Sequence, residues 1–231
     1  MPKQYRGANQ GSSILHDMLA VKVGGHQPNQ NIPPLLITNS NATKSTTLAS
    51  FDTNMESPKI TLRPFNLSDV DAFMAWAGDD RVSHFAGWDT FTSNDNALNY
   101  IRDTIIPHPW YRAICLGDRP VGSVSVKQGP GAADRCRASI GYGVAHEYWG
   151  RGIATRAVEV VVSGIFEEWP HLMRLDGLVD VENLGSQRVV EKAGFVKEGV
   201  LRKYLVVKGR TRDMVMYSVT RDDGGDDDGL F

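Results

Sequence analysis

Hydrophobic spacing changes period midway along the chain. Ile140, Tyr142 and Val144 alternate with Ser139, Gly141, Gly143 and Ala145, the two-residue period of a strand with unlike faces. Beyond Gly152, the positions Ile153, Ala157, Val161 and Ile165, reinforced by Ala154, Val158 and Val162, recur at helical spacing. The chain therefore passes from strand to helix through Gly150-Arg151-Gly152. Glycines there can take positive φ and carry no Cβ, so the first N–H groups of the helix stay open to an anion. The helix dipole adds to this, and Arg151 and Arg156 bring full charges nearby. An ordinary strand-to-helix turn explains the same residues, so the Gly-x-Gly spacing alone does not decide. No Lys-Ser or Lys-Thr follows, which excludes a P-loop, and Thr155 stands where a dinucleotide fingerprint needs its third glycine.

The same patterning lays out the remaining elements. Residues 59–65 predict a strand, followed by a helix with Ser68 as N-cap and Asp69 and Asp71 in its first turn. Val70, Phe73, Met74 and Ala77 form its apolar face. Residues 80–89 form an irregular stretch dense in aromatic and polar groups, and 93–104 a second helix. Strands at 111–116, 121–127 and 135–145 make an antiparallel meander with turns at Gly117-Asp118 and Gly129-Pro130-Gly131. After the helix that begins at Ile153 come a strand at 174–181, a short helix at 186–193, and strands at 195–204 and 211–219 around Lys208-Gly209. This order, β-α-α-β-β-β-α-β-α-β-β, predicts an α+β fold: a mostly antiparallel mixed sheet of about seven strands covered by helices.

Composition narrows the class. A chain of 231 residues with 41% hydrophobic content and a formal charge of −2 suits one ordinary domain with extensions. No apolar run approaches a membrane span. Residues 1–57 are rich in Asn, Ser, Thr, Gln and Gly without sustained period, and read as a disordered leader. Their bases and hydroxyls admit an organellar transit peptide. Arg6 is their only arginine, so a dispensable leader and a cytoplasmic protein are expected, with plastid or mitochondrion as the alternative. Five aspartates follow Arg221, which leaves residues 1–221 near +3 and makes 222–231 an acidic, solvated tail. Neither sign is strong enough to imply nucleic acid. Cys115 and Cys136 fall in separate predicted strands without metal-ligand spacing, so both are expected as small reduced core residues and no metal is expected.

A second motif adds specificity. Residues 183–195 read Asn-Leu-Gly-Ser-Gln-Arg-Val-Val-Glu-Lys-Ala-Gly-Phe, directly after the predicted strand 174–181. Together with Trp149-Gly150-Arg151-Gly152-Ile153-Ala154, this resembles the GNAT superfamily of acyl-CoA-dependent N-acyltransferases, within it the group related to the Rim-type acetylases of ribosomal-protein N-termini. The resemblance runs from about residue 59 to 220, and it bounds an acetyltransferase domain at 58–221. It implies the GNAT fold, whose fourth and fifth strands splay apart so that the pantetheine arm of acetyl-CoA meets unpaired backbone around Val144. Residues 148–154 would then wrap the pyrophosphate. Trp149 departs from the family's Gln or Arg, but the main ligands there are backbone amides. The implied cofactor contacts are Val144, Trp149, Gly150, Arg151, Gly152, Ile153, Ala154, Thr155, Asn183 and Ser186. By position alone Asn183 is an N-cap, and Ser186 a first-turn helix residue. In Rim-like relatives a serine at the latter position is thought to protonate the departing thiolate. The tyrosine that more often does so has Val190 in its place.

The implied reaction is direct attack of a primary amine on acetyl-CoA, the cosubstrate, in a ternary complex. It requires a neutral amine, oriented substrates and support for charge on oxygen and sulfur. Glu147 is the candidate base, with His146 and His84 as rivals, and Tyr204 is a further catalytic candidate. Similar sequences place residues 80–89 beside the acceptor, which makes His84 and Trp88 substrate-binding candidates, while Phe85 suits the core. A protein N-terminus or lysine is the first expectation for the acceptor, and a small amine such as a polyamine or aminoglycoside the second. A catalytically silent acyl-CoA-binding regulatory module is the unlike alternative. A dinucleotide-dependent oxidoreductase is disfavoured by Thr155 and by the strand order. No nucleic-acid or membrane partner is expected, and nothing in the sequence indicates an oligomeric state.

Overall fold

In a computed structural model, residues 58–224 are described, and they fold around a single mixed sheet. In chain order the elements are β1 (Thr61–Arg63), α1 (Val70–Ala77), α2 (Asp80–Ser83), α3 (Asn94–Tyr100), β2 (Tyr111–Leu116), β3 (Arg119–Gln128) and β4 (Arg137–Val144). Then come α4 (Ile153–Glu168), β5 (Arg174–Asp180), α5 (Leu184–Lys192), β6 (Val196–Val207) and β7 (Arg210–Thr220). The strand order is β1-β2-β3-β4-β5-β7-β6. Every neighbouring pair is antiparallel except β4 with β5. The α+β architecture and the β2 to β4 meander are thus those expected from the sequence.

The β4–β5 pair decides where a ligand can enter. Only Arg137 to Ser139 pair with Arg174 to Asp176, although the strands continue to Val144 and Asp180. Each strand is held on its other side: β3 stays in register with β4 up to Val144, and β7 with β5 up to Asp180. The gap beyond Ser139 is therefore fixed by two intact ladders, and the expected splay is present.

Alternation along the strands divides the core. Ile140, Tyr142 and Val144 face α4 and α5, packing with Ile153, Ala157, Val161 and Val189. On the opposite face Phe65, Phe73, Trp76 and Ile101, around α1 and α3, cover Ala113 and Cys115 of β2.

Several local expectations are corrected. The first helix is entered through a capping box of Asn66 and Asp69, not through Ser68. The Asn66 side chain accepts the Ser68 N–H (3.1 Å), and the Asp69 carboxylate accepts the Asn66 N–H (2.9 Å). The stretch 80–89 is not wholly irregular, because Asp79 caps the short helix α2 by accepting the Arg81 N–H at 2.9 Å. The second helix follows its Ser93 cap to Tyr100 and then widens into a π turn over Ile101–Ile105. Cys136 is exposed just ahead of β4 rather than in the core, whereas Cys115 is buried in β2. The strand expected to end at Tyr204 runs on to Val207 past a bulge: Arg202, Lys203 and Tyr204 lie opposite Asp213, whose carboxylate accepts the Lys203 N–H at 2.7 Å. At the expected β6–β7 turn Lys208 and Gly209 both have positive φ (48° and 73°), the hand that suits a two-residue hairpin. The leader at 1–57 and residues 225–231 lie outside the described residues. No helix among the described residues is long and apolar enough to cross a membrane.

Candidate active site

A cavity opens where β4 leaves β5. Tyr142, Val144, Tyr148, Trp149, Gly150, Gly152, Ile153, Ala154, Thr155 and Val189 line it. Gly150 and Gly152 both have φ of 75°, a left-handed conformation that L-residues with a Cβ enter only under strain. Gly152 is the N-cap of α4 and has no side chain to close the helix start. The helix begins its own bonding with the Arg156 N–H to the Gly152 carbonyl (2.9 Å), so the N–H groups just before it have no intrahelical partner. With the positive end of the α4 dipole, this turn is an anion cradle made of backbone. The arginines sit at its rim: Arg151 lies over the Tyr148 ring at 5.4 Å, and Arg156 pairs with Glu159 at 3.3 Å.

The α5 side of the gap is built differently. Asn183 is fully buried and accepts the Ser186 N–H on Oδ1 (3.2 Å), so its N-cap role is present. Ser186 is likewise 0% exposed, and it is not among the residues that line the cavity. Its Oγ lies 2.6 Å from the hydroxyl of Tyr142, which also donates to the Ser186 carbonyl at 3.1 Å. Burial pushes the Tyr142 phenol well above the ordinary tyrosine range, against the opposing effect of its bond to Ser186. Tyr142 and Val189 line the cavity but were not among the candidates, and Tyr148, expected as the start of the pyrophosphate wrap, lines it as well. For Tyr142 a signal existed, since it shares the strand face of Val144 two residues away.

The Val144 carbonyl is not unpaired, contrary to expectation, because the Trp149 indole N–H donates to it at 2.7 Å. One lone pair of that carbonyl remains. Trp149 thus acts as a strut across the turn, a part its family counterparts Gln and Arg could not fill with an apolar ring. Glu147, next to the cavity-lining Tyr148, is exposed with Arg119 3.7 Å away, and His146 stacks at a tilt on Trp149. His84 follows α2, exposed, edge-on to the buried Phe85. The half-buried Trp88 packs against the α1–α3 core. The Lys208 ammonium reaches from the β6–β7 turn to Ser83 (3.2 Å), and the His84 charge is felt at Asp180, the last residue of β5. Burial foremost raises the Asp180 carboxyl, opposed by the Glu182 N–H, Arg212 and His84. So the α2 end, the β5 end and the β6–β7 turn converge. Tyr204 is not brought to this place: it stands exposed in the β6 bulge and does not line the cavity. Among the described residues no group of His, Cys, Asp and Glu could hold a metal ion.

Comparison with known proteins agrees with this geometry. Residues 59–196 match the acetyltransferase (GNAT) domain. YoaA of Bacillus subtilis (strain 168), an uncharacterized N-acetyltransferase, is 29% identical over 173 residues, 72% of this chain and 96% of that protein. Among solved structures, Mycobacterium smegmatis RimJ in complex with CoA-disulfide is 27% identical with a TM-score of 0.59, covering 72% of this chain and 84% of that one. The ribosomal-protein-S5-alanine acetyltransferase of Vibrio fischeri is 25% identical with a TM-score of 0.57, covering 72% of this chain and 96% of that one. The splayed sheet, the backbone cradle and the matched domain together make this chain a member of the GNAT family, an acetyl-CoA-dependent N-acetyltransferase.

Proposed function

We propose that the acceptor is an amine of a protein, an N-terminus or a lysine side chain, acetylated by direct attack on acetyl-CoA bound in the β4–β5 gap. The observation that carries the cofactor placement is the junction of that gap with the open start of α4. Gly150 to Thr155 would hold the pyrophosphate on backbone N–H groups, and Arg151 and Arg156 would balance its charge from the rim. Val144 would meet the pantetheine arm through its remaining lone pair, and Val189 would form the α5 wall, with Asn183 and Ser186 buried at the start of that helix. The amine would enter from the side of His84 and Trp88, where the α2 end meets the β5 end. Trp88 carries a buried indole N–H with no partner among the described residues, a donor suited to a substrate carbonyl. Glu147, at the rim of the cavity, would take the proton of the amine directly or through water.

A protein acceptor is supported by likeness to the Vibrio fischeri enzyme, whose acceptor is a ribosomal-protein alanine. The cytoplasm is the compartment that goes with this reading. Thiol release from acetyl-CoA with a panel of alanine-leading peptides, lysine-containing peptides with blocked N-termini, polyamines and aminoglycosides tests it. Turnover of peptides above the small amines is the expected result. Preference for a small amine would overturn the protein acceptor, and CoA binding without any turnover would favour a silent binding module.

A further inference from the structure

Helix α5 carries Val190, fully buried, at the position where the resemblance leads one to expect a tyrosine. A phenol nevertheless reaches α5, from the opposite wall. Tyr142 is buried on β4 past the last β4–β5 pair, lines the cavity, and ends on Ser186. Ser186 itself is sealed, so whatever it does for a ligand in the gap passes through its neighbour.

Counting hydrogens shows which hydroxyl is free to act. Each hydroxyl has one hydrogen to give. The phenol has two acceptors in reach, the Ser186 carbonyl at 3.1 Å and Ser186 Oγ at 2.6 Å, and its hydrogen goes to the carbonyl when the serine is the donor between the hydroxyls. The shorter contact, 2.6 Å between the two hydroxyls, is then filled by the serine hydrogen donating to Tyr142 Oη. In that arrangement Ser186 is spent, whereas Tyr142 holds its hydrogen on a longer bond to a neutral carbonyl. A hydroxyl that accepts a bond also donates more strongly, because chains of hydrogen bonds polarise one another.

We propose that Tyr142 is a catalytic residue of this enzyme, its phenol the donor to sulfur as the thioester breaks, and that Ser186 is the positioning residue behind it. This rests on acetyl-CoA occupying the β4–β5 gap. The amine lone pair forms the new C–N bond, and the C–S bond breaks with its electron pair going to sulfur. The phenol hydrogen swings from the Ser186 carbonyl to that sulfur and hydrogen-bonds to its charge, which roughly doubles the strength of the bond over a neutral one. No proton leaves Tyr142, whose burial keeps it neutral. The thiolate takes its proton from solvent, and the ammonium formed on the acceptor loses one to the base.

The experiment titrates CoA on the protein. Thiolate absorbance in the ultraviolet follows the ionisation of CoA bound to wild type, Tyr142→Phe and Ser186→Ala. The thiol should ionise about one pH unit lower on wild type than on Tyr142→Phe, with Ser186→Ala between them. In turnover of an alanine-leading peptide, Tyr142→Phe should lower kcat roughly ten- to a hundredfold while KM for acetyl-CoA stays nearly unchanged. Equal thiol pKa on wild type and Tyr142→Phe overturns the proposal. So does a larger shift for Ser186→Ala than for Tyr142→Phe, which would return the part to the serine. If Tyr142→Phe does not fold, 3-fluorotyrosine at position 142, a more acidic phenol of nearly the same size, must lower the thiol pKa further, and an unchanged value overturns the proposal. Failure of the wild type to bind CoA would instead sink the placement of acetyl-CoA in the gap, and this proposal with it.

Discussion

Replacing Gly152 separates two parts of the cradle that the structure joins. Its φ is 75°, and a Cβ built there meets nothing closer than Pro58 Cδ at 3.8 Å, an ordinary contact. Crowding is therefore negligible, and conformation sets the cost. A left-handed residue with a Cβ costs about 1–2 kcal/mol, so Gly152→Ala should lose about that much stability, or roughly 2–8 °C in a domain of this size. Gly152→Val should lose more, because β-branched residues resist positive φ further. If the turn relieves the strain by rotating, the first N–H groups of α4 point elsewhere. Loss of one charge-assisted hydrogen bond costs about 1.5–3 kcal/mol, so CoA should bind roughly ten- to a hundredfold more weakly. Gly117→Ala is the matched control, since φ is 58° there, no atom lies within 4 Å of the added Cβ, and the residue does not line the cavity. Urea unfolding should show similar stability losses for the two alanine variants, and calorimetry with CoA an affinity loss only at position 152. A folded Gly152→Val protein with wild-type affinity would refute the cradle. Equal affinity losses in both alanine variants would show that strain alone, wherever it sits, weakens binding.

Further outcomes follow from the site and its supports. Glu147→Gln should lower turnover most at low pH, where the acceptor amine is protonated, and raising the pH should partly restore it; a uniform loss across pH would remove Glu147 as the base. Arg174 holds Glu198 by two bonds of 2.6 Å each and, with the Ser218 hydroxyl, keeps its carboxyl down to about 2. A depressed carboxyl stabilises the fold above its ordinary value near 4.3 and loses that contribution as pH falls toward the folded value. Urea midpoints at pH 6 and pH 3 should thus differ less for Glu198→Gln than for wild type, modestly, because the side chain is 40% exposed. Arg221 closes the end of α4 by donating to the carbonyls of Phe166 (2.7 Å) and Leu172 (2.8 Å). Arg221→Ala should cost about 1–3 kcal/mol in urea unfolding without changing CoA affinity; a stability unchanged by the substitution would contradict that anchoring role.

What the sequence determined is local. The change from period two to helical period, with glycines at 150 and 152 between, located the strand-to-helix turn, because backbone conformation and amphipathic period are written in neighbouring residues. Asn183 was legible as a cap for the same reason. Other local signals competed. Ser68 had the chemistry of an N-cap, but Asn66 and Asp69 could satisfy each other reciprocally and took the place. Cys136 sat inside an apolar pattern, yet β4 begins only at Arg137, so it stays outside the core. The tertiary structure decided the rest, since packing sets contacts between residues far apart in the chain. Tyr142 meets Ser186 across 44 residues only because β4 leaves β5 at Ser139 and α5 packs over the opening. Tyr204 is carried away from the cavity by a three-residue bulge that Asp213 of the facing strand holds in place. Trp149 occupies the Val144 carbonyl across the tight turn at His146–Tyr148. Residue type showed which groups could do chemistry, and the packing of β4 against α5 determined that Tyr142 lines the cavity while Ser186, bonded to its hydroxyl, does not.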